Sequence, residues 1–265
     1  MTKQKVLILG YGQMAIAIIK GILQAKLYEK YDFEISGRNL QKARDFLQLH
    51  NIQTYFNVLE NSSSISVADK IVFLCVKPYG LGSFAFSGEA FKVISVMAGV
   101  SIQVIREKIQ AKTYVRVMPN TAAKYQKSSS AVYCENYSSI SVDVLDENLD
   151  LLESFGNVVS VGEEKLIDAS IATSGSSPAF VALIAQALID AGVREGLGRM
   201  QSKELVRGMF EGFALLLKHE DPQNIIDAIT SPAGTTIEGL SVLEKSGVRG
   251  IIIEACHQAV AKTKY

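Results

Sequence analysis

Apolar residues in the first part of the chain fall into short runs separated by polar or glycine-containing segments. A run at 6–9 leads into two glycines and then a longer apolar segment at 14–23, which predicts a buried strand, a tight turn and a helix. Further strands are predicted at 32–36, 70–76, 91–97, 113–118, 131–135 and 157–161, with helices at 40–49 and 142–155. Nearly continuous apolar runs are typical of parallel strands that are buried on both faces.

The pattern changes at residue 163, where the strand signal stops. Helices are predicted at 178–191, 202–218, 223–229, 235–245 and 249–262, and the first of these is apolar almost all round with Pro178 at its start. We therefore expect an α/β chain, with a Rossmann-type dinucleotide-binding domain at 1–162 followed by an all-helical domain at 163–265. Because a helical region of this size needs a partner to bury so apolar a helix, we expect at least a homodimer.

Composition narrows the functional classes. The 265 residues include 27 Lys and Arg against 27 Asp and Glu, which argues against nucleic acid or an anionic membrane as a partner. The three cysteines lack the spacing of a metal site or a disulfide framework, so no metal is expected. Polar residues interrupt the first apolar run, which argues against a signal peptide, and the run at 179–189 is too short to span a bilayer. A cytoplasmic protein is expected.

The segment that joins the first predicted strand to the first helix carries Gly10 and Gly12, with Ala15 three residues later. Glycines allow a sharp turn and a close approach to a ligand, and the free N–H groups of a helix start attract a phosphate. The spacing predicts a dinucleotide site, since alanine is accepted at the third position.

The end of the second predicted strand bears on the choice of cofactor. An acidic residue at this point binds the ribose 2′-hydroxyl of NAD, whereas an arginine suits the 2′-phosphate of NADP. Here Ser36 and Arg38 follow the strand and Glu34 lies inside it, which favours NADP. The alternative is a polar turn that only caps the helix at 40–49.

Three later strands also end in residues that suit a cofactor groove. They are followed by Lys77 and Pro78, by Ala98 and Gly99, and by a Pro-Asn-Thr segment that contains Asn120. Because the carboxyl ends of parallel strands meet at one edge of the sheet, these residues predict a shared groove.

Two turns rich in Gly, Ser and Thr interrupt the helical half, at 174–178 and 230–236. Hydroxyls and backbone N–H groups at a helix N-terminus suit a small carboxylate. Ordinary helix capping is an equal explanation for the first turn, but the second has more hydroxyls than one cap requires.

Several motifs occur together and in order along nearly the whole chain: Gly10-Tyr11-Gly12-Gln13-Met14-Ala15, Val76-Lys77-Pro78, Ala98-Gly99-Val100, Arg116-Val117-Met118-Pro119-Asn120-Thr121, Ser174-Gly175-Ser176, Ser231-Pro232-Ala233-Gly234-Thr235-Thr236-Ile237 and Gly247-Val248-Arg249. On these motifs the chain resembles the pyrroline-5-carboxylate reductases, which catalyse the last step of proline synthesis. The resemblance implies an NAD(P)-binding domain followed by a helical dimerisation domain, with dimers often assembled into rings.

The resemblance also implies site residues. With the glycine turn and strand ends above, the predicted cofactor-binding set is Gly10, Tyr11, Gly12, Gln13, Met14, Ser36, Arg38, Asn61, Cys75, Val76, Lys77, Pro78, Ala98 and Gly99. The predicted substrate-binding set is Asn120, Ser231, Gly234, Thr235 and Thr236. The implied cofactor is NADP(H), with NAD(H) as a possible second.

The chain departs from the family pattern at four positions that bear on the substrate pocket. Ala122 stands where proline is usual, and Ser177 and Ala233 each replace a glycine. Ile171 stands at a position usually held by threonine. These departures leave the cofactor prediction intact and bring the details of the substrate pocket into question.

The implied reaction is hydride transfer from NADPH to C5 of the cyclic imine Δ1-pyrroline-5-carboxylate, which gives L-proline. A protonated imine accepts hydride without a strong catalytic acid, so proximity and orientation are expected to carry the reaction, and Thr236 could hydrogen-bond the ring nitrogen. One alternative is a reductase of another small imine or of a hydroxy acid, although 177–190 lacks the lysine that a hydroxy-acid enzyme needs. The other is a non-catalytic dinucleotide-binding regulatory protein.

Overall fold

The computed structural model describes residues 3–60, 64–135 and 148–264, which form two compact units. One unit comprises Met1–Ser176 together with Ala259–Tyr265, and the other comprises Ser177–Gln258. Residues 163–176 therefore belong by their contacts to the same unit as the sheet, although they follow the predicted domain boundary.

The first unit is built on an eight-stranded sheet with the order β10-β9-β8-β7-β5-β1-β2-β3. Neighbouring strands are parallel except for the antiparallel pair β8 and β9, and the short strands β4 and β6 pair separately. The strands are β1 (Gln4–Leu9), β2 (Tyr31–Ser36), β3 (Phe56–Val58), β4 (Ile65–Ser66), β5 (Ile71–Leu74), β6 (Phe86–Ser87), β7 (Ala90–Ser95), β8 (Ala111–Met118), β9 (Ser128–Cys134) and β10 (Gly156–Ser160). The order of the central strands is that of a Rossmann-type sheet, as predicted.

Among the described residues, five helices accompany the sheet: α1 (Gln13–Gln24), α2 (Leu40–Leu49), α3 (Ile102–Arg106), α4 (Leu149–Glu153) and α5 (Lys165–Ala169). Short 3₁₀ turns lie at Leu27–Glu29, Pro78–Ser83, Thr121–Tyr125 and Ser170–Ala172. Of the helix predicted at 142–155, α4 is the described part, and 142–147 lies outside the described residues.

The central strands are buried on both faces, which is why they read as continuous apolar runs. In β1, Val6 and Ile8 pack into one hydrophobic cluster, while Leu7 and Leu9 pack into another on the opposite face. This two-sided burial confirms the central parallel strands predicted from the sequence.

The strands β3, β4 and β6 and the helices α3 and α5 were not predicted. The segment at 51–66 contains β3 and β4, although no strand was predicted there. Strands of two or three residues are too short to show an alternating pattern, so pairing with neighbouring strands decides their conformation.

The second unit is helical, as predicted. It contains α6 (Ser177–Arg194), α7 (Arg199–Leu216), α8 (Pro222–Ile229), α9 (Thr235–Lys245) and most of α10 (Val248–Ala261), which is followed by a 3₁₀ turn at Lys262–Lys264. The helices α6 and α7 approach closely where the hydroxyl of the buried Ser202 donates to the carbonyl of Ile189 at 2.8 Å.

The helix α6 was predicted to be buried, but none of its residues is buried within the single chain. The helical stretch Lys165–Arg194 is also longer than the apolar run read from the sequence, and by length and composition alone it could cross a membrane. An exposed apolar helix of this kind favours burial against a further surface.

Candidate functional site

A cavity of about 630 Å³ opens at the carboxyl ends of the central strands, where the strand order reverses between β1 and β5. Ligands bind at this point in open α/β sheets, and the volume suits a small-molecule ligand. The cavity is lined by Gly10, Tyr11, Gly12, Gln13, Met14, Gly37, Arg38, Cys75, Val76, Lys77, Pro78, Tyr79, Gly80, Phe84, Val96, Met97, Ala98, Met118, Pro119 and Thr121.

The two glycines of the turn after β1 have different roles. Gly10 has φ +114°, and a Cβ atom there would lie 2.6 Å from the carbonyl oxygen of Cys75, so a side chain is excluded on both counts. Gly12 would meet no atom within 4 Å and so leaves open space at the start of α1. Gly10 closes the turn, and Gly12 keeps room for a ligand.

The start of α1 provides donors for an anion. Its N-cap is Gly12, no described side chain caps the helix, and its first turn contains no acidic residue. The backbone N–H groups of the first turn are therefore available, and the helix dipole favours a negative charge there.

Of the described residues that line the cavity, Arg38 and Lys77 are charged and none carries a carboxylate. Both side chains are exposed, and neither forms an ion pair within the part of the chain that the structure describes. Unpaired cations beside an uncapped helix start suit a ligand with several phosphate groups.

The segment at 37–39 between β2 and α2 is called the ribose turn below, and its last residue bears on the two explanations offered for it. Asn39 caps α2, because its side-chain oxygen accepts a hydrogen bond from the N–H of Lys42 at 2.9 Å. Arg38 is not needed for this cap and lines the cavity instead. The turn thus caps a helix and also presents a cation to the cavity.

Tyr11 lies between the glycine turn and this ribose turn. A Cβ atom on Gly37 would come within 2.4 Å of Cε1 of Tyr11, so the ring lies directly against the Gly37 backbone. The ring centroid of Tyr11 is also 6.4 Å from that of Phe46 in α2. These contacts fix the ring at the edge of the cavity.

Most of the predicted cofactor-binding residues line this cavity, whereas Ser36 and Gly99 do not. Ser36 is fully buried, and its hydroxyl donates to the carbonyl of Leu59 at 3.3 Å. Gly99 lies next to the lining residue Ala98, and Asn61 lies outside the described residues. The predicted cofactor-binding residues that do line the cavity are Gly10, Tyr11, Gly12, Gln13, Met14, Arg38, Cys75, Val76, Lys77, Pro78 and Ala98.

Tyr79, Gly80 and Phe84 also line the cavity but were not singled out in the sequence. They lie in or directly after the 3₁₀ turn Pro78–Ser83, which begins one residue after Lys77. Their position immediately beyond a strand end was the signal that could have identified them.

Cys75 follows the last residue of β5 and lines the cavity. Burial raises the pKa of its thiol from 9.0 to about 12, so the group stays protonated at neutral pH. A protonated thiol offers a neutral contact to a ligand and is not a nucleophile.

Asn120 lies between the lining residues Pro119 and Thr121, and it is itself buried. Its side-chain oxygen accepts a hydrogen bond from the N–H of Ala122 at 2.9 Å, and its own N–H donates to the hydroxyl of Ser128 at 2.9 Å. The amide NH₂ group of Asn120 is the part of the side chain that these two bonds leave available.

Capping and carboxylate binding were equal explanations for the turn at 174–178. In the structure, the backbone N–H groups of this turn donate to carbonyls a few residues earlier in the chain. The N–H groups of Ser174 and Gly175 donate to the carbonyl of Ser170, and that of Ser176 donates to the carbonyl of Ile171. These donors are therefore occupied. Ile171 is itself buried in a small hydrophobic cluster, so its replacement of a polar family residue serves packing.

The turn at 230–236 also bonds the N–H of Gly234 internally, to the carbonyl of Ser231 at 3.0 Å, but it differs in its hydroxyls. The hydroxyls of Ser231, Thr235 and Thr236 have no hydrogen-bond partner among the described residues, and all three residues are exposed. Gly234 precedes α9 as its N-cap and leaves the helix start without a side-chain cap. Free hydroxyls at an open helix start can bind a carboxylate.

Ala233 in the same turn has φ +61°, in the left-handed region that glycine adopts without strain. The structure thus gives a reason for the glycine expected at this position from the family pattern. The backbone keeps the same turn although the residue has changed.

The described residues contain no group of three or more His, Cys, Asp or Glu side chains that could hold a metal ion. His50 packs edge-on against Phe46, and burial together with the nearby charge of Lys20 lowers its pKa. None of the three histidines lines the cavity.

Two family models match the chain. Residues 164–265 match the model described as "Pyrroline-5-carboxylate reductase dimerisation", and residues 5–99 match the model described as "NADP oxidoreductase coenzyme F420-dependent". The first match covers the helical half, and the second covers the strands and turns around the glycine motif.

The chain is also similar over its full length to individual proteins. It is 46% identical over 256 residues to a pyrroline-5-carboxylate reductase of Helicobacter pylori, covering 97% of each chain. A 1-pyrroline-5-carboxylate reductase structure from Streptococcus pyogenes has a TM-score of 0.84 at 30% identity, covering 99% of this chain and 98% of that one. A Plasmodium falciparum pyrroline carboxylate reductase structure with NADP bound has a TM-score of 0.76 at 27% identity, covering 98% of each.

Proposed function

This chain belongs to the pyrroline-5-carboxylate reductase family, and on that premise we propose that it reduces Δ1-pyrroline-5-carboxylate to L-proline with NADPH. The observation that carries the proposal is the match to a reductase of that name at 46% identity over 97% of both chains. The same match makes the alternative reductases and the non-catalytic role the weaker explanations, because it extends through both halves of the chain.

The cavity in the first unit fits NADP(H). Gly12 leaves open space at the uncapped start of α1, where the pyrophosphate would bind, and Arg38 would pair with the 2′-phosphate. Lys77 adds a second cation on the opposite side of the turn. When bound, the dihydronicotinamide supplies the hydride for the imine carbon.

The residues proposed to bind the substrate carboxylate are Ser231, Gly234, Thr235 and Thr236. Their support is the group of exposed, unpartnered hydroxyls at the start of α9, together with the available N–H groups of its first turn. Asn120 is proposed as a further substrate contact, and its free amide NH₂ group would act as a donor.

Thr236 is proposed to donate or accept a hydrogen bond at the ring nitrogen of the imine. A protonated imine already carries the positive charge that hydride attack requires, so the protein has no need of a strong acid at this point. Its contribution is to hold the imine carbon at a fixed distance and orientation, which alone can supply a large part of the rate enhancement.

We further propose that the helical domain at 163–265 forms a homodimer, or a ring of such dimers, and that the enzyme is cytoplasmic without a membrane or nucleic-acid partner. The support is the dimerisation family model together with the apolar side chains exposed on single helices. Leu183 in α6 is 73% exposed and Ile253 in α10 is 65% exposed. Burial of such side chains in a subunit interface is favourable by about 1.5–3 kcal/mol each.

The direct test is to incubate the purified protein with Δ1-pyrroline-5-carboxylate and NADPH. We expect the near-ultraviolet absorbance of NADPH to fall and proline to form in equal amount. Binding of NADPH without turnover of this imine would contradict the proposed reaction and would leave the cofactor assignment standing.

A further inference from the structure

The one buried guanidinium among the described core residues lies behind the cavity wall. Arg116 in β8 is 2% exposed, and its Nη1 and Nη2 atoms donate to the two carboxylate oxygens of Asp168 at 3.0 and 2.9 Å. Nη2 also donates to the carbonyl of Met97 at 3.2 Å, and Nη1 lies 3.4 Å from Oε1 of Glu164. The guanidinium therefore joins two strands to the helical segment at 163–169.

Both carboxylates also bind the backbone that follows β7. The N–H of Gly99 donates to Oδ1 of Asp168 at 2.9 Å, and the N–H of Ile102 donates to Oε1 of Glu164 at 2.7 Å. Gly99 has φ +70°, and a Cβ atom there would lie 2.4 Å from the carbonyl oxygen of Thr263. The turn at 97–102 is thus held by charged hydrogen bonds on one side and by close packing on the other.

This turn forms one end of the cavity. Met97 and Ala98 line it on the β7 side, whereas Arg38 lines it on the β2 side, with β1 and β5 between them. A dinucleotide with its 2′-phosphate at Arg38 and its pyrophosphate at the start of α1 extends toward the 97–99 turn. The nicotinamide half is the part that reaches this turn.

We propose that Arg116 and Asp168 are positioning residues that fix the 97–99 turn against the nicotinamide half of the cofactor. This inference rests on the proposed NADP(H) site. Burying the Arg116 guanidinium beside two partly exposed carboxylates carries a desolvation cost, so apolar side chains at these positions would stabilise the packing equally well. Paired, directional bonds to the Met97 carbonyl and the Gly99 N–H instead fix the turn, and orientation is what hydride transfer requires.

The test compares two probes that share the adenosine half. Adenosine 2′,5′-bisphosphate contains the 2′-phosphate and the adenosine but no nicotinamide, whereas NADP⁺ contains both halves. The affinities of both probes are measured by calorimetry. In Asp168→Ala, we expect NADP⁺ to bind about tenfold more weakly, because a charged hydrogen bond is lost. The affinity for the bisphosphate should stay within about twofold of that of the unaltered protein. The ratio of the two dissociation constants is insensitive to the fraction of folded protein.

Two further variants separate positioning from stability. Asp168→Asn keeps an oxygen for the Gly99 N–H but removes the charge, so its ratio should fall between those of the unaltered protein and Asp168→Ala. Lys70→Met breaks the buried pair with Glu34 elsewhere in the sheet, and it should lower the unfolding temperature without changing the ratio.

An unchanged ratio in Asp168→Ala, or equal weakening of both probes, would overturn the inference. Because the ratio requires no turnover, it remains measurable even if the protein fails to reduce Δ1-pyrroline-5-carboxylate. That failure would count against the proposed reaction alone. With active protein, Asp168→Ala should also lower kcat more than it raises the KM for the imine.

Discussion

Glu34 in the middle of β2 forms an ion pair with Lys70, with 2.5 Å between Oε2 and Nζ, and both side chains are buried. Lys5 approaches the other oxygen of the same carboxylate at 3.4 Å. The carboxylate that β2 itself carries nearest to its end is therefore paired with two lysines, two residues before the strand ends at Ser36. It does not reach the cavity, where Arg38 is the charged residue of the ribose turn.

Arg38→Ala is expected to raise the KM for NADPH about tenfold or more, because a charged hydrogen bond to the 2′-phosphate is lost. The KM for NADH should change little, since NADH has no such phosphate. The measurement is steady-state kinetics with each cofactor at saturating imine.

Arg44→Ala is the matched control for that experiment. Arg44 is an exposed arginine in α2 that pairs with Glu60 at 2.8 Å and does not line the cavity. Its loss should leave both KM values unchanged. Equal effects of Arg38→Ala on the two cofactors would mean that the 2′-phosphate assignment is wrong.

Gly37→Ala is expected to weaken NADPH binding about tenfold, because the new methyl group displaces the Tyr11 ring. An added methyl group in a well-packed site typically costs about 1–3 kcal/mol. Because Tyr11 itself lines the cavity, Tyr11→Ala serves as a second reference, and adding Gly37→Ala to that variant should cost little further affinity, since the clash has been removed. Gly82→Ala is the control, because a Cβ atom there would meet no atom within 4 Å. An equally large loss on introducing Gly37→Ala into Tyr11→Ala and into the unaltered protein would contradict the steric explanation.

Thr236→Val is expected to raise the KM for the imine about tenfold through loss of the hydroxyl, while cofactor affinity stays nearly unchanged. Thr236→Ser retains the hydroxyl and should behave nearly as the unaltered protein does. Kinetics with varied imine and calorimetry with NADP⁺ provide the two readouts. A fall in cofactor affinity would show that this turn is not a substrate site.

Ala233→Gly is expected to raise the free energy of unfolding by about 0.5–1 kcal/mol, because relief of the left-handed strain exceeds the added flexibility of the unfolded chain. Ala233→Val should lower it, since a β-branched side chain fits this backbone conformation worse. Urea denaturation of the three proteins at one protomer concentration gives the order, and a reversed order would contradict the φ of this residue.

Cys75 is expected to resist alkylation by iodoacetamide in the folded protein at about pH 9, because burial raises the pKa of its thiol to about 12. The unfolded chain ionises this thiol near pH 9 and the native chain does not, so its contribution to stability is complete below pH 9 and is lost as the pH rises toward 12. Mass spectrometry before and after denaturation measures the modification, and rapid labelling of the native protein would disprove the burial.

The amino-acid sequence alone determined the elements with strong local signals. The central strands were predictable because burial on both faces requires continuous apolar runs, and α9 was predicted at 235–245, the same bounds as in the structure. The glycine turn was predictable because Gly10 has a positive φ, which favours glycine, and Gly12 leaves open space at the start of the helix. The family followed from motifs spread along the whole chain.

Only the tertiary structure decided which residues are buried beside one another and which line the cavity. Ser36 and Arg38 are two positions apart, yet one is buried under Leu59 and the other lines the cavity, because the strand ends between them. The short strands, the contact of Tyr11 with Gly37 and the pairing of Arg116 with Asp168 depend on residues far apart in sequence. Local pattern encodes burial and backbone preference, whereas contacts between separate elements arise only when the chain has packed.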